Sequence, residues 1–267
     1  MHFATRRRLF GKTVQPVKAV DDVSLTIKAG ETVSIVGESG SGKSTTGYAV
    51  LGFQKPTAGE VFFEGQDIST LSADARSNLA KRMQIIYQDP PAALDPRFTL
   101  EDSIGEPLLL HGMRSRQERA SRVGELLDAV GLAPSLAKRY PHQVSGGQKQ
   151  RVVIARAIAL NPALIICDEA VSALDVSIRS QILNLLMDLQ ARLNLAYLFI
   201  SHDLSVVRHI SDRVLVMRAG KIVEQGPTDV LFASPQHEYT QTLLRAIPMP
   251  DPLRRRFGTV RAAQPGS

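Results

Sequence analysis

Apolar residues recur along this chain in two rhythms. VKAVDDVSLTI (17–27) alternates apolar and polar positions, the period of an edge or half-buried strand. TVSIVG (32–37), ALIICDE (163–169) and AYLFISHD (196–203) are apolar almost throughout, as strands covered on both faces of a parallel sheet are. EVFFEG (60–65) and RMQIIYQD (82–89) predict two further strands, and RVLVMRAGKIVEQG (213–226) predicts a hairpin turning at Ala219-Gly220. The helical rhythm fills the intervals. A helix is expected over 43–51, and ERASRVGELLDAVGL (118–132) sets Val123, Leu126, Leu127 and Val130 on one stripe. SIRSQILNLLMDLQARL (177–193) is strongly amphipathic, and PTDVLFA and HEYTQTLLRAI predict two closing helices. Strand signals vanish between Pro90 and about Leu160, which predicts a helical subdomain inserted into a sheet domain. The fold class is therefore α/β: a mostly parallel sheet with helices, an antiparallel β edge and an inserted α-helical subdomain.

Composition narrows the setting more than the function. A chain of 267 residues with 43% hydrophobic and 22% charged positions can bury a substantial core. Its longest apolar runs, such as LII at 164–166, are too short to span a bilayer, and no apolar stretch follows Arg6–Arg8 as a secretory signal requires. The cytosol is the expected compartment. One cysteine excludes an internal disulfide and any four-cysteine metal site. Cys167 lies inside a strand and reads as a small core residue. The net charge of +6 owes much to Arg6–Arg8 and Arg254–Arg256, and residues 251–267 read as a disordered basic tail. With five tyrosines, nine phenylalanines, no tryptophan and no stacking motif beside the basic residues, nucleic acid is not an expected partner.

Candidate chemistry sits at strand ends. GESGSGKST, Gly37 to Thr45, matches G-x-x-x-x-G-K-[ST] between a predicted strand and a predicted helix, the context of a phosphate-binding loop. Gly40 and Gly42 would let backbone amides wrap phosphates at the positive end of the helix dipole. Lys43 would reach the β- and γ-phosphates, and the Ser44 hydroxyl would ligate Mg²⁺. Asp168, closing an apolar strand, suits the magnesium shell, and Glu169 beside it could polarise a water. His202 ends another buried strand, on the edge where ligands of α/β sheets collect.

A second anion-binding feature lies in YPHQVSGGQKQR (140–151). Ser145 is a good N-cap, and GQKQRVVIARAIAL (147–160) runs helically until Asn161-Pro162. Its tip offers a hydroxyl and free amides to an anion, yet nothing in the sequence requires it to meet Gly37–Thr45.

The order of these motifs decides the matter. GESGSGKST, Gln88 in IIYQDP, VSGGQ (144–148), LIICDE, SALD (172–175) and SHD (201–203) together resemble ATP-binding cassette, or ABC, ATPases over about Val17 to Gly226. The resemblance implies a P-loop NTPase core and a single ABC ATPase domain over 1–250. It implies ATP and Mg²⁺ as ligands and a head-to-tail pair of cassettes, each signature helix capping the nucleotide on its partner's loop. Nucleotide-binding positions would be Gly37, Glu38, Ser39, Gly40, Ser41, Gly42, Lys43, Ser44, Thr45 and Gln88. Ser145, Gly146, Gly147 and Gln148 would face the partner's ATP. Ser44, Gln88 and Asp168 would hold Mg²⁺, Glu169 would act on the attacking water, His202 would hold the γ-phosphate, and Asp175 would link the two sites.

VKAVDDVSLTI, QDPPAALDPRFTL, SALDVSIRSQILNLL and LLRAIPMPDP are similar to the ATPase subunits of bacterial oligopeptide and dipeptide importers. That branch implies two permease subunits, a separate substrate-binding protein, and a peripheral place on the cytoplasmic face of the inner membrane. The same branch also moves nickel and glutathione. Three departures stand out. Ala170 occupies the usual place of a proline, predicting a looser loop after Glu169, and the cysteine-rich iron–sulfur tail of some members is absent. The first strand and the adenine-stacking aromatic are barely represented. Phe3 takes that role ahead of Phe10, and a start lying further upstream would account for the shortage.

Overall fold

The computed structural model describes residues 2–3 and 17–246. Strands β1 (His2–Phe3) and β2 (Val17–Lys18) form a small antiparallel pair, and β3 (Thr32–Val36) leads through the glycine loop into α1 (Lys43–Val50). A second small hairpin, β4 (Phe62–Phe63) with β5 (Gln66–Asp67), precedes α2 (Ala73–Arg82) and β6 (Met83–Ile86). A helical segment follows: α3 (Pro90–Ala93), α4 (Leu100–Leu110), α5 (Arg116–Ala129) and α6 (Gly146–Ile158). The sheet resumes with β7 (Leu164–Asp168), α7 (Val176–Leu193), β8 (Ala196–Ser201), α8 (Leu204–Ile210), β9 (Arg213–Arg218) and β10 (Lys221–Pro227), and α9 (Thr228–Ala233) and α10 (Glu238–Arg245) close the described chain. Both arginine clusters, Phe10, the Phe3 side chain and the 251–267 tail lie outside the described residues.

The main sheet has six strands in the order β10-β9-β3-β8-β7-β6, with only the β9–β10 hairpin antiparallel. Its central strands β3, β7 and β8 are buried at every position, as apolar runs require when both faces are covered. The alternation of a strand divides their side chains between two layers. Leu164, Ile166, Leu198 and Ile200 point to one face, where Val50 and Leu51 at the end of α1 pack; Ile165, Cys167, Tyr197 and Phe199 point to the other. That second face shares one continuous core with Ile104, Leu127, Ile154 and Ile158 of the helical segment. The helices over 90–158 are thus packed onto the sheet through common apolar side chains rather than around a separate centre. Val214, Val216, Leu231 and Tyr239 form a third cluster beneath the closing helices.

Two expectations change. The strand expected over 17–27 hydrogen-bonds as a strand only at Val17–Lys18. Its alternation survives, with Val23, Leu25 and Ile27 half-buried against the core and their neighbours exposed. The pattern recorded which side faces inward; instead of a ladder, the Thr26 carbonyl accepts from the Arg213 guanidinium and the Asp21 amide donates to the Gly220 carbonyl. EVFFEG likewise contracts to Phe62–Phe63, closed into a hairpin through Glu64 and Gly65, both at positive φ. Helices α2 and α8 carried no separate expectation. Helix α2 buries none of its residues, so it has no stripe to read. Its signals are the Ser72 cap, Asp74 in its first turn and Lys81 and Arg82 in its last.

Ile154 is 0% exposed in the shared core. Ile154→Ala should cost about 2–4 kcal/mol and shift the entire urea transition, with helical and sheet probes moving together. A separate, earlier transition of the helical segment alone would contradict a common core.

Candidate functional site

Parallel strands release the chain at one edge, and the register of β3, β8 and β7 sets their exits side by side. Val36 lies opposite Ser201, and Asp168 opposite Ile200. The glycine loop after β3, the acids at the end of β7 and His202 after β8 therefore meet at one place. Ile86 of β6 pairs with Cys167, so the chain reaches the exposed Gln88 beside the acidic end of β7.

The loop wraps its own lysine. Lys43 is only 6% exposed, and its Nζ donates to the carbonyls of Gly37 (2.8 Å) and Glu38 (2.7 Å). Burial pulls its ammonium below the ordinary lysine range, while the charges of Glu169, Asp168 and Glu38 oppose that shift. Glycine is obligatory at two turns: a Cβ on Gly37 would lie 2.1 Å from the Met217 carbonyl oxygen, and one on Gly42 2.2 Å from that of Ala19. Gly42 stands at the N-cap of α1 without any side-chain cap, leaving the first amides of the helix to another acceptor. Glu38, Ser39 and Gly40 are exposed, Ser44 and Thr45 half-buried, and the buried Ser41 hydroxyl has no hydrogen-bond partner among the described residues.

Asp168 accepts hydrogen bonds from the Ser44 hydroxyl (2.9 Å) and the Tyr48 phenol (3.2 Å). Ser44 and Tyr48 are four residues apart and share one face of α1. That spacing was the available signal for Tyr48, which sequence reasoning missed. Burial raises the Asp168 carboxyl above the ordinary carboxylate range; the two hydrogen bonds counter it, Glu169 adds to it, and Lys43 counters it.

Glu169 has φ 52, a turn that diverts the chain out of β7. Its Oε1 lies 3.1 Å from His202 Nδ1, and an ionised carboxylate only accepts, so the imidazole donates there. The loop at Ala170, where the missing proline predicts looseness, is tied by several bonds. The Glu169 carbonyl accepts from both the amide and hydroxyl of Ser172, each at 3.0 Å, and the Ala170 carbonyl accepts from Gln150 Nε2 at 2.7 Å. Cys167 is fully buried, and burial pushes its thiol well above the usual range, in keeping with an inert core residue.

Ser145 and Gln148 close a capping box: the hydroxyl accepts from the Gln148 amide at 3.3 Å, and the Gln148 side chain accepts from the Ser145 amide at 2.9 Å. Ser145 and Gly146 are exposed and Gly147 is buried. Among the described residues, no hydrogen bond joins this helix tip to Gly37–Thr45. Asp175 is exposed and gives α7 no side-chain cap. A second missed residue organises its loop: Arg179 donates to the Leu174 carbonyl (3.2 Å) and to Asp203 (2.6 Å), joining SALD to SHD.

The donor set fits a small hard cation. Ser44 Oγ and Asp168 Oδ1 are 2.9 Å apart, and adjacent ligands of octahedral Mg²⁺ lie roughly 2.9 Å apart. Among the described residues no three His, Cys, Asp or Glu side chains gather to cage a metal unaided, so phosphate oxygens and water would have to complete such a shell.

A family model described as ABC transporter matches residues 20–172, which contain the loop, the helix tip and both acids. The chain belongs to the ABC transporter family. A second model, the C-terminal region of oligopeptide/dipeptide transporters, matches residues 223–267. The glutathione import ATP-binding proteins GsiA of Salmonella typhi and of Escherichia coli strain K12 are each 55% identical to it over 254 residues, covering 95% of this chain and 41% of the relative. The chain thus spans about two fifths of the length of these curated relatives. Among solved structures, cbiO1 of Clostridium perfringens, part of the ABC transporter complex cbiONQ, matches with a TM-score of 0.74 and 30% identity, covering 81% of this chain and 84% of that one. The ATP-binding cassette MJ0796, solved as a dimer bound to ADP and Pi, matches at 0.70 and 34%, covering 82% and 94%. This ABC cassette thus has a mostly parallel sheet and an antiparallel β10 edge, and no described helix is long and apolar enough to cross a membrane.

Asp168 ionised and buried is a cost to the nucleotide-free fold. Its raised pKa means native protein holds the proton more tightly than unfolded chain, so the cost is present at neutral pH and disappears once pH falls below the unfolded carboxylate value. Asp168→Asn should therefore raise the melting temperature of nucleotide-free protein in chelator at pH 7. The gain should fade on acidification through the carboxylate range, as calorimetry at several pH values would show.

Proposed function

We propose that this chain is the ATP-binding and hydrolysing subunit of a bacterial ABC importer, peripheral on the cytoplasmic face of the inner membrane, with oligopeptides or dipeptides as cargo. The observation that carries this reading is the convergence of Lys43, Ser44, Asp168, Glu169 and His202 at one sheet edge. Glutathione is a second reading of the cargo, favoured by the 55% identity to glutathione import ATP-binding proteins. Without a described membrane-spanning helix, cargo choice falls to partners: two permeases and a separate binding protein.

In this reading the amides from Gly37 to Thr45 cradle the phosphates, and Lys43 leaves its two carbonyls for the β- and γ-phosphate oxygens. Ser44 and Asp168, with Gln88, would hold Mg²⁺, which when bound would supply charge neutralisation for the transferred phosphoryl group. Glu169 orients the attacking water, and His202 holds the γ-phosphate while fixing the Glu169 carboxylate through its Nδ1 proton. Ser145, Gly146, Gly147 and Gln148 contact ATP on a second cassette, a copy or a paralogue, and Asp175 couples the two sites. Catalysis of this kind needs positioning and charge stabilisation but no covalent intermediate.

Glu169→Gln should bind ATP and lose nearly all turnover, about a hundredfold or more. Parent-like hydrolysis would remove the assigned role. In the Glu169→Gln background, ATP should convert monomer to dimer in size measurements. Adding Ser145→Arg should abolish that dimer with nucleotide binding retained; an undiminished dimer would refute the signature assignment.

A further inference from the structure

Tyr239 belongs to α10, two hundred residues beyond the glycine loop, and is only 6% exposed. Its ring packs in the third apolar cluster, with the Arg218 guanidinium 4.8 Å from the ring centroid. Phenylalanine would fill that volume equally well, so packing does not account for the phenol. The phenolic oxygen accepts the backbone N–H of Glu38 at 3.1 Å. Glu38 is also one of the two residues whose carbonyls seat Lys43. The two bonds run in series: α10 fixes the Glu38 amide, and the carbonyl of the same residue fixes the ammonium.

The start of α10 is itself anchored. Glu224 of β10 accepts the amides of Gln236 (2.8 Å) and His237 (3.0 Å), and His237 Nδ1 accepts the Tyr239 amide at 3.1 Å. Residue 239 therefore reaches the loop from a rigid base, not from a loose terminus. The tie also joins the segment matched as an oligopeptide/dipeptide transporter C-terminal region, residues 223–267, to the loop inside the general cassette match, residues 20–172.

We propose that Tyr239 is a positioning residue for nucleotide binding: its phenol holds the Glu38 backbone, and with it the path of the glycine loop, so that the loop is preorganised for a triphosphate. The proposal rests on the reading of Gly37–Thr45 as the ATP site. Preorganisation acts by sparing the ligand the cost of ordering the loop. Losing one hydrogen bond of ordinary strength should weaken MgATP binding roughly three- to tenfold.

The test uses the full chain and isothermal titration with MgATP. Tyr239→Phe should raise Kd by that factor, leave the melting temperature of the folded protein close to the parent's, and accelerate hydrogen exchange at the Glu38 amide. Unchanged Kd would overturn the proposal, as would slow, parent-like exchange at Glu38. A Tyr239→Phe chain that fails to fold would make the phenol a structural tie and overturn it equally. Lys43→Ala, titrated alongside, separates the two levels: if that variant still binds MgATP like the parent, the ATP-site reading itself fails, whatever Tyr239 does.

Discussion

A lysine ammonium held almost out of solvent has to be surrounded by oxygen, and the shape of this site follows from how that requirement is met. Lys43 finds the carbonyls of Gly37 and Glu38 because the loop curls back over its own helix. That curl is possible only where the backbone passes close to Met217 and Ala19, leaving no room for a Cβ at Gly37 or Gly42. Strand β7, on the far side of β8, ends in Asp168 and leads into Glu169, the compensating charges. Cation, glycine turns and acids are thus one electrostatic unit, not separate motifs that happen to be adjacent. A polyphosphate fits the same arithmetic, since it would replace neutral carbonyl oxygens with charged ones around the same ammonium.

The architecture places this unit with little freedom. Each parallel strand ends at the same edge, and the pairing of β3 with β8 and β8 with β7 fixes the lateral order of the three loops. Because both faces of the central strands are covered, a one-residue slip would exchange the side chains of two different cores. Register is therefore guarded by apolar packing far from the polar site whose geometry it determines.

Most of the sheet and the loop–helix unit were readable from the chain because their signals are local. Apolar runs mark β3, β7 and β8, and the glycine-lysine pattern needs only eight consecutive residues. The extended segment over 19–27 shows the limit of periodicity: burial alternates over 22–27 as anticipated, but backbone groups of the segment bond to Arg213 and Gly220, distant in sequence. Helix α2 lacks a buried stripe altogether, and α4 carries Pro107 inside it and is capped by Thr99 and Asp102. At the site, the residues that sequence reasoning missed are those acting across the fold. Tyr48 reaches Asp168, Arg179 reaches Asp203, and Gln150 reaches the Ala170 carbonyl. Tyr48 left one local signal, its spacing from Ser44 on α1; Arg179 and Gln150 belong to no short motif that fixes their partners, so only the tertiary arrangement discloses them.

The Gln150 contact has a mechanical meaning. This side chain is wholly buried on α6, five residues past Ser145, and its amide nitrogen grips the carbonyl of Ala170, the residue after Glu169. A twist of the helix about its long axis would either drag that peptide along or strand a buried amide without a partner, a costly alternative. Gln150 thus ties the interior of α6 to the loop that leaves the carboxylate, so that neither can shift alone without breaking a buried hydrogen bond.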